Sequence, residues 1–256
     1  AQALAASGLS VTVVDRGDLV HPGTAAGALS QHYLHQGMVA SVTDGLAIVL
    51  AARAVGGTTP LNSGTCLRPL PEFLADWGPA SAALGRDLDR WLELAEERLG
   101  VAVPGPELMS TSGLLFAEGL GRLGRTGLHR LPRNAAGCTG AGRCCFGCPS
   151  GAKQGTDRSF LPAAVAAGAR LLAGATVEEV YPDGEGASAR IHHRGEVHDV
   201  LARHVVIAGG ALETPALLAR SRLGHAARLA GSGLRIHPTG KVFAWFPGQS
   251  VEARGI

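Results

Sequence analysis

No apolar run in this chain approaches the roughly 20 residues that a helix needs to span a bilayer. Leu161 to Ala175 comes nearest, and Arg170 interrupts it. No transmembrane segment is expected. Charge of one sign is equally scarce: 23 basic against 21 acidic residues leave a net charge of +2, so nothing demands a nucleic acid or an anionic membrane as partner. Lysine is almost missing, with Lys153 and Lys241 its sole representatives among the basic residues. Together with abundant Ala and Gly, that pattern records a GC-rich coding sequence rather than a function. There is no initiating Met, no signal-peptide pattern and no internal repeat. Cysteine is absent from most of the chain: four of the five lie between 138 and 148, and Cys66 stands alone. That clustering is unlike a dispersed extracellular disulfide framework, and a cytoplasmic location is expected. Hydrophobic residues, by contrast, make up 46% of the 256 positions. This excludes general disorder and supplies a substantial core for one large domain or two.

The most informative segment runs from Ala52 to Thr65 and contains Gly56-Gly57-Thr58-Thr59, then Asn62-Ser63-Gly64-Thr65. Paired glycines let a backbone approach a flat or phosphorylated ligand where any Cβ would collide. Thr58, Thr59 and Asn62 add short polar side chains for hydrogen bonds at that surface. The segment reads as a cofactor cradle. A second signal precedes it: Ala3 to Ser7, the turn at Gly8, and Val11 to Val14 ending on Asp15-Arg16. A helix end, a glycine turn and a strand closing on an acid match the second strand of a dinucleotide-binding unit, whose acid bonds a ribose hydroxyl. The phosphate-binding turn of such a unit lies about 20 residues upstream of the acid. Here that position precedes Ala1, so the sequence reads as a fragment cut inside its first helix. A third signal is Val205 to Ala208 running into Gly209-Gly210-Ala211 and a helix start, a turn that offers unpaired N–H groups to negative charge. An ordinary strand-to-helix connection has the same pattern.

Between these segments, Ala47 to Leu50 suits a short strand and Arg86 to Leu99 an amphipathic helix with Leu88, Trp91, Leu92, Leu94 and Ala95 on one stripe. Gly113 to Gly127 is expected to be irregular, and Gly137 to Gly155 to form a Cys- and Gly-rich loop. A helix is expected over Phe160 to Ala167, with Pro162 in its first turn. A short strand should follow near Leu171, then an antiparallel ribbon from Val177 to Tyr181 and Ala189 to Leu201, turned at Asp183-Gly184 and Arg194-Gly195. His204 to Ala208 reads as a buried parallel strand. Thr214 to Arg220 reads as a helix with Pro215 at its first position. The tail from Lys241 reads as the start of another sheet.

Taken together, these segments resemble the glucose–methanol–choline (GMC) oxidoreductases. Arg53 to Asn62, continued by Ser63-Gly64-Thr65-Cys66-Leu67-Arg68-Pro69, is similar to the first signature of that family, and Gly210 to Gly224 to the second. Leu234-Arg235-Ile236-His237-Pro238 is similar to the usual sequel. Cys66 stands where an aromatic is usual and Arg222 where a glycine is. The Cys-rich loop with Gly147-Cys148-Pro149-Ser150-Gly151-Ala152-Lys153-Gln154 is most similar to the long-chain (fatty) alcohol oxidases, with bacterial cholesterol oxidases as the neighbouring branch. The resemblance implies an α/β fold: a glutathione-reductase-like, Rossmann-type FAD-binding domain with a partial antiparallel-sheet substrate domain. It assigns residues 1–75 and 137–235 to FAD binding, and 76–136 and 236–256 to substrate-domain or cap segments. It further implies that Asp15, with Arg16 beside it, holds the adenosine ribose. Gly56, Gly57, Thr58 and Thr59 would line the diphosphate and flavin side, and Asn62, Ser63, Gly64 and Thr65 would run beneath the flavin. Val177 would meet adenine through its backbone, unless it is a plain sheet residue, and Gly209, Gly210 and Ala211 would close the nucleotide pocket. The reaction implied is oxidation of the CH–OH group of a hydrophobic small-molecule alcohol by hydride transfer to flavin N5, with oxygen or another molecule as electron acceptor.

No catalytic residue and no metal ligand is assigned. In the resembled family the base is a His with a His or Asn partner near the C-terminal end, beyond Ile256, so this chain is expected to be inactive alone. His237 fits a structural role in the motif that turns the chain between domains, and His192 and His193 are expected on an exposed ribbon. Cys138, Cys144 and Cys148-Pro149 fit the C-x2-C-x2-C-x3-C-P spacing of ferredoxins, except that Ala141 fills the second ligand position and Cys145 is extra. Three such thiolates could hold a three-iron cluster or a zinc, but packing a loop or pairing among themselves fits them better. Two other readings therefore stay open: a non-catalytic flavoprotein remnant, and a Cys-cluster metal or electron-transfer module.

Overall fold

The computed structural model describes residues 1–37, 39–41, 47–75, 87–236, 243–245 and 254–255. Its regular elements run α1 (Gln2–Ala6), β1 (Thr12–Asp15), α2 (Ala25–His32), β2 (Val39–Ser41), β3 (Ala47–Val49), α3 (Pro71–Ala75), α4 (Leu88–Arg98) and α5 (Thr111–Arg122). They continue with α6 (Phe160–Ala166), β4 (Arg170–Ala173), β5 (Ala175–Asp183), β6 (Gly186–His193), β7 (Glu196–Ala202), α7 (Gly210–Arg220) and α8 (Gly224–Leu229). The fold is α/β. Its described residues separate into two compact units, one within Ala1–Val11, Leu19–Ala169 and Ser250–Ile256, the other within Thr12–Asp18 and Arg170–Gln249.

In the first unit, α1 packs on α6 through Ala5, Ala164 and Ala169, all buried, with Val11 against them. Alanines at the contact allow close approach of the two helices. A second cluster joins Tyr33, Ala54 and Leu61, with Val20, Leu29 and Ala52 beside it. Thr24 caps α2 by accepting the Gly27 N–H at 3.0 Å, and Ser110 caps α5 by accepting that of Gly113 at 3.1 Å. The α5 helix replaces the irregular segment expected over 113–127. Three glycines cost helix stability, but the Ser110 cap and a Glu118–Arg122 ion pair at 2.6 Å support it. In α4 the half-buried positions are Leu88, Leu92, Ala95 and Glu96, followed by Leu99 at its C-terminal cap. Trp91 and Leu94, expected on the same stripe, are exposed.

In the second unit, β1 pairs in parallel with β4, Thr12 opposite Arg170 and Asp15 opposite Ala173. Strands β5, β6 and β7 form an antiparallel meander with turns where Asp183-Gly184 and Arg194-Gly195 were expected to make them. Ala175, Val180, Ala189 and Ile191 are its buried centre, packed by Val14, Leu172, Val205, Ile207 and Leu217. Helix α7 is tied to the meander by Ser221, whose Oγ accepts the Val180 N–H at 2.9 Å, and by Arg220 Nε, which donates to the Glu178 carbonyl at 3.0 Å. Two expectations fail here. His204–Ala208 is not a strand: Val205 and Ile207 pack inward and Val206 is exposed, but no ladder forms. Helix α7 begins at Gly210 rather than Thr214, with Pro215 inside it. Among the described residues the parallel pairing is confined to β1 and β4. Of the tail from Lys241, only 243–245 and 254–255 fall within the described residues, so the expected sheet there lies outside them; so does His237.

Candidate functional site

The expected cofactor residues divide between the two units. In the first, the chain turns sharply through Gly56 and Gly57, at φ +89° and +65°, and again at Gly64, at φ +78°. Such left-handed backbone favours glycine. At Gly56 and Gly64 space is also short. A Cβ on Gly56 would stand 2.7 Å from Thr156 Oγ1, and one on Gly64 would stand 2.7 Å from Asn134 Oδ1. Gly57 differs, since a Cβ there would meet nothing within 4 Å. Thr58, Asn62 and Ser63 are exposed beside it, and Thr65 is half-buried. The loop thus turns one face to solvent as bare backbone and short polar side chains.

Its other face is clasped from within the unit. Thr59 Oγ1 donates to the Gly56 carbonyl at 2.8 Å, lies 2.8 Å from Thr156 Oγ1 and accepts the Thr156 N–H at 2.9 Å. Asn62 Oδ1 accepts the Gly64 N–H at 2.9 Å and also a hydrogen bond from Lys153 Nζ. Lys153 is only 2% exposed, and its ammonium donates in addition to the Thr59 carbonyl at 2.8 Å. The Thr59 hydroxyl and the Asn62 carbonyl, expected to face a ligand, are therefore engaged in holding the loop's shape. Asn134 is buried against Gly64: its N–H donates to the Gly64 carbonyl at 3.0 Å and its Nδ2 to the Gln154 carbonyl at 2.7 Å. Arg133 reaches the Ser63 carbonyl at 2.6 Å. Tyr33 OH lies 3.1 Å from the Leu61 carbonyl and 2.8 Å from that of Cys145. Burial raises the pKa of this phenol, and the neighbouring Cys145 adds to the effect.

Lys153, Asn134, Thr156 and Asp157 were not picked out as site residues. They act on a loop some 70 to 100 residues earlier, so no local spacing marks them; the signal available for Lys153 was its place in the Gly147–Gln154 motif. Burial lowers the pKa of the Lys153 ammonium, opposed by Cys144, Cys145, Asp157 and Cys66. Burial raises that of the Asp157 carboxyl, opposed by Arg158 and Lys153 among others. Asp157 Oδ1 and Asn134 Oδ1 are buried with no hydrogen-bond partner among the described residues. A small cavity of about 10 Å³ is lined by Val20, Pro60, Cys148, Lys153, Asp157 and Arg158. Elsewhere in the unit, a groove of about 460 Å³ is walled largely by Leu108, Met109, Leu114, Phe116, Leu128 and Leu131.

In the second unit, Asp15 ends β1 and its Oδ1 accepts the Gly17 N–H at 2.9 Å. Arg16 lies 3.0 Å from Glu213 in α7, so the unit brings the strand-end acid's neighbour to the first turns of that helix. Gly209, Gly210 and Ala211 are exposed at the start of α7; Gly210 sits at φ +84°, where a Cβ would meet open space. Val177 pairs with Ile191 at a bulge in β5 and packs on the meander core. His192 and His193 lie on β6, with His192 Nε2 3.0 Å from Glu178. Among the described residues no group of three or more His, Cys, Asp or Glu is arranged to hold a metal ion, and no helix is long and apolar enough to cross a membrane.

Comparison with known proteins bears on both units. The sequence model of a family described as GMC oxidoreductase matches residues 18–239. An uncharacterized GMC-type oxidoreductase of Mycobacterium tuberculosis is 39% identical over all of this chain, which spans 42% of that protein. The long-chain-alcohol oxidase FAO3 of Arabidopsis thaliana is 30% identical over 96% of this chain and 35% of its own length. The chain therefore spans less than half of these curated relatives. A solved fungal aryl-alcohol oxidase aligns over 88% of this chain and 46% of its own, at a TM-score of 0.44 and 16% identity.

Proposed function

This chain belongs to the GMC oxidoreductase family, and from that premise we propose that it carries FAD-binding parts of an oxidoreductase acting on the CH–OH group of a hydrophobic alcohol. The observation that carries this reading is the bare outer backbone at Gly57 and Gly210, both at positive φ with open space where a side chain would be. Such positions fit a ligand that must lie against the main chain. Asp15 would accept a hydrogen bond from the adenosine ribose, its carboxylate oriented by the Gly17 N–H. Gly209, Gly210 and Ala211 would offer backbone to the nucleotide at the start of α7, with Val177 meeting the adenine. The Gly56 to Thr65 loop would lie along the diphosphate and flavin, its shape held by Lys153, Thr156 and Asn134. Bound FAD would supply the hydride acceptor for the carbon-bound hydrogen of the alcohol. No residue here is assigned the hydroxyl proton, so the chain's part is to bind and orient.

The Rossmann-type character of the nucleotide-binding part, and its extent over 1–75 and 137–235 with 76–136 and 236–256 as substrate-side segments, belong to the same proposal. The apolar groove lined by Leu108, Leu114 and Phe116 supports a hydrocarbon-rich substrate. The homologous long-chain-alcohol oxidase supports the same class.

Titration of the chain with FAD, FMN and riboflavin, followed by flavin fluorescence, tests the reading. FAD should bind, while FMN and riboflavin, which lack the adenosine, should bind far more weakly. Asp15→Ala should weaken FAD by about 10- to 100-fold, the worth of one charge-assisted hydrogen bond. Equal affinity for FAD and FMN, or an Asp15→Ala variant as tight as the parent, would sink the assignment.

A further inference from the structure

We propose that the 138–148 loop is a peroxide-reactive dithiol site, in which Cys148 is the nucleophile and Cys144 the resolving thiol. All five cysteines are reduced in this structure. Their surroundings differ sharply. The Cys148 sulfur lies 3.4 Å from Ser150 Oγ, in a tight turn where the Gly151 N–H donates to the Cys148 carbonyl at 3.2 Å. Burial alone would raise the pKa of this thiol. The Ser150 hydroxyl and the backbone N–H groups of Lys153, Ser150 and Ala152 outweigh burial and hold it below the ordinary value. Nucleophilic thiolates arise in such donor-rich, electropositive surroundings.

The second observation is the cavity into which Cys148 opens. It is about 10 Å³, room for a water-sized guest, and Lys153 and Arg158 are among the residues that line it. Asp157 also lines it: its side chain is 9% exposed, and its Oδ1 lacks a partner. A small neutral molecule in the cavity would lie next to Cys148. The two cations would stabilise a departing hydroxide.

The remaining thiols are sorted by their neighbours. Cys138 Sγ accepts the Gly140 N–H at 3.3 Å, within its own turn. The Cys145 carbonyl is held by Tyr33, whose hydroxyl also feels that residue's sulfur. Cys144 is left: burial keeps it a thiol, Arg133 and Lys153 favour its thiolate, and it stands within electrostatic reach of both Cys138 and Cys148. It lies four residues before Cys148, at the start of the short 3-10 segment Cys144–Phe146, and the chain turns between them at Gly147, at φ +91°.

The chemistry balances as follows. The Cys148 thiolate attacks one oxygen of hydrogen peroxide, the O–O bond breaks, and hydroxide leaves and is protonated to water. Cys148 is then a sulfenic acid. The Cys144 sulfur next attacks the Cys148 sulfur; the S–O bond breaks, and hydroxide leaves with the Cys144 proton as a second water. Two thiols are oxidised to one disulfide, and one peroxide is reduced to two waters.

One equivalent of hydrogen peroxide on the intact chain, followed by dimedone trapping, differential alkylation and peptide mass spectrometry, tests this. The Cys144–Cys148 cross-link should dominate in the parent chain. Cys144→Ser should accumulate dimedone on Cys148, and Cys148→Ser should leave Cys144 reduced. Ser150→Ala, which keeps all five thiols, should slow Cys148 oxidation severalfold with an unchanged circular dichroism spectrum. Oxidation spread evenly over the cysteines, a dominant cross-link between another pair, or a Ser150→Ala rate equal to the parent's would overturn the proposal. None of these readouts depends on flavin binding.

Discussion

Gly56→Ala and Gly57→Ala separate the two reasons for a glycine pair. Both positions are left-handed, at φ +89° and +65°. An L-residue pays about 1–2 kcal/mol in that region, and stiffening of the unfolded chain returns about 0.4–1 kcal/mol. Gly57→Ala, with nothing within 4 Å of the new methyl, should therefore cost about 1 kcal/mol. At Gly56 the methyl would lie 2.7 Å from Thr156 Oγ1 and 3.1 Å from the Asp157 nitrogen. Thr156 Oγ1 cannot swing aside without giving up its contacts with Thr59 Oγ1 at 2.8 Å and the Gly56 carbonyl at 3.2 Å. Each bond is worth about 1 kcal/mol, so Gly56→Ala should cost about 3 kcal/mol. With about 2–4 °C lost per kcal/mol in domains of this size, Tm should drop by about 6–12 °C for Gly56→Ala and by about 2–4 °C for Gly57→Ala. Melting curves by circular dichroism compare them directly. A Gly57→Ala loss equal to or larger than that of Gly56→Ala would refute the steric account of the loop.

Ser221→Ala should strand the buried Val180 N–H and cost about 1–3 kcal/mol, measured by urea denaturation; an unchanged midpoint would mean that α7 is not tied to β5 through this bond. Asp157→Asn should raise Tm at neutral pH, because burial lifts the native carboxyl's pKa above the usual 3.8. The native state then holds its proton more tightly than the unfolded chain, and stability is lost as pH rises from the ordinary carboxylate value through the native one. The variant's advantage should therefore shrink toward about pH 4, and an advantage that grows in acid would contradict the sign. The flavin titration of Asp15→Ala and the peroxide mapping of Cys148 complete the set.

What could be read in advance follows from where the information sits along the chain. The paired Gly56-Gly57 and the run from Gly209 into α7 are local backbone demands, and each is written in a few neighbouring residues. The meander turns at Asp183-Gly184 and Arg194-Gly195 are of the same kind. Helix α5 escaped notice because its glycines outweighed, on composition, the Ser110 cap and the Glu118–Arg122 pair that sustain it. His204–Ala208 has the apolar character of a strand but makes no ladder, and no pattern within five residues can report a missing partner. The clasp on the cofactor loop was hidden for a related reason. Lys153, Asn134 and Thr156 meet Asn62, Gly64 and Thr59 only through tertiary packing. The side chains first read as facing a ligand, Thr59 and Asn62, proved to be their partners.

The pairing of β1 with β4 also sets a clock. Thr12 and Arg170 are 158 residues apart, so a ribosome adding about 5–20 residues per second needs about 8–30 s to deliver the second strand after the first. During that interval the edge of Thr12–Asp15 that β4 will cover has N–H and C=O groups still without that partner, open to a strand from another chain. Helix α1 waits almost as long, since its contact surface on α6 begins at Phe160. Residues 2–15 are thus made long before the segments that shelter them here, α6 and β4. Substitutions that delay α6 or β4 should surface first as aggregation during synthesis, before any loss of stability in the finished molecule.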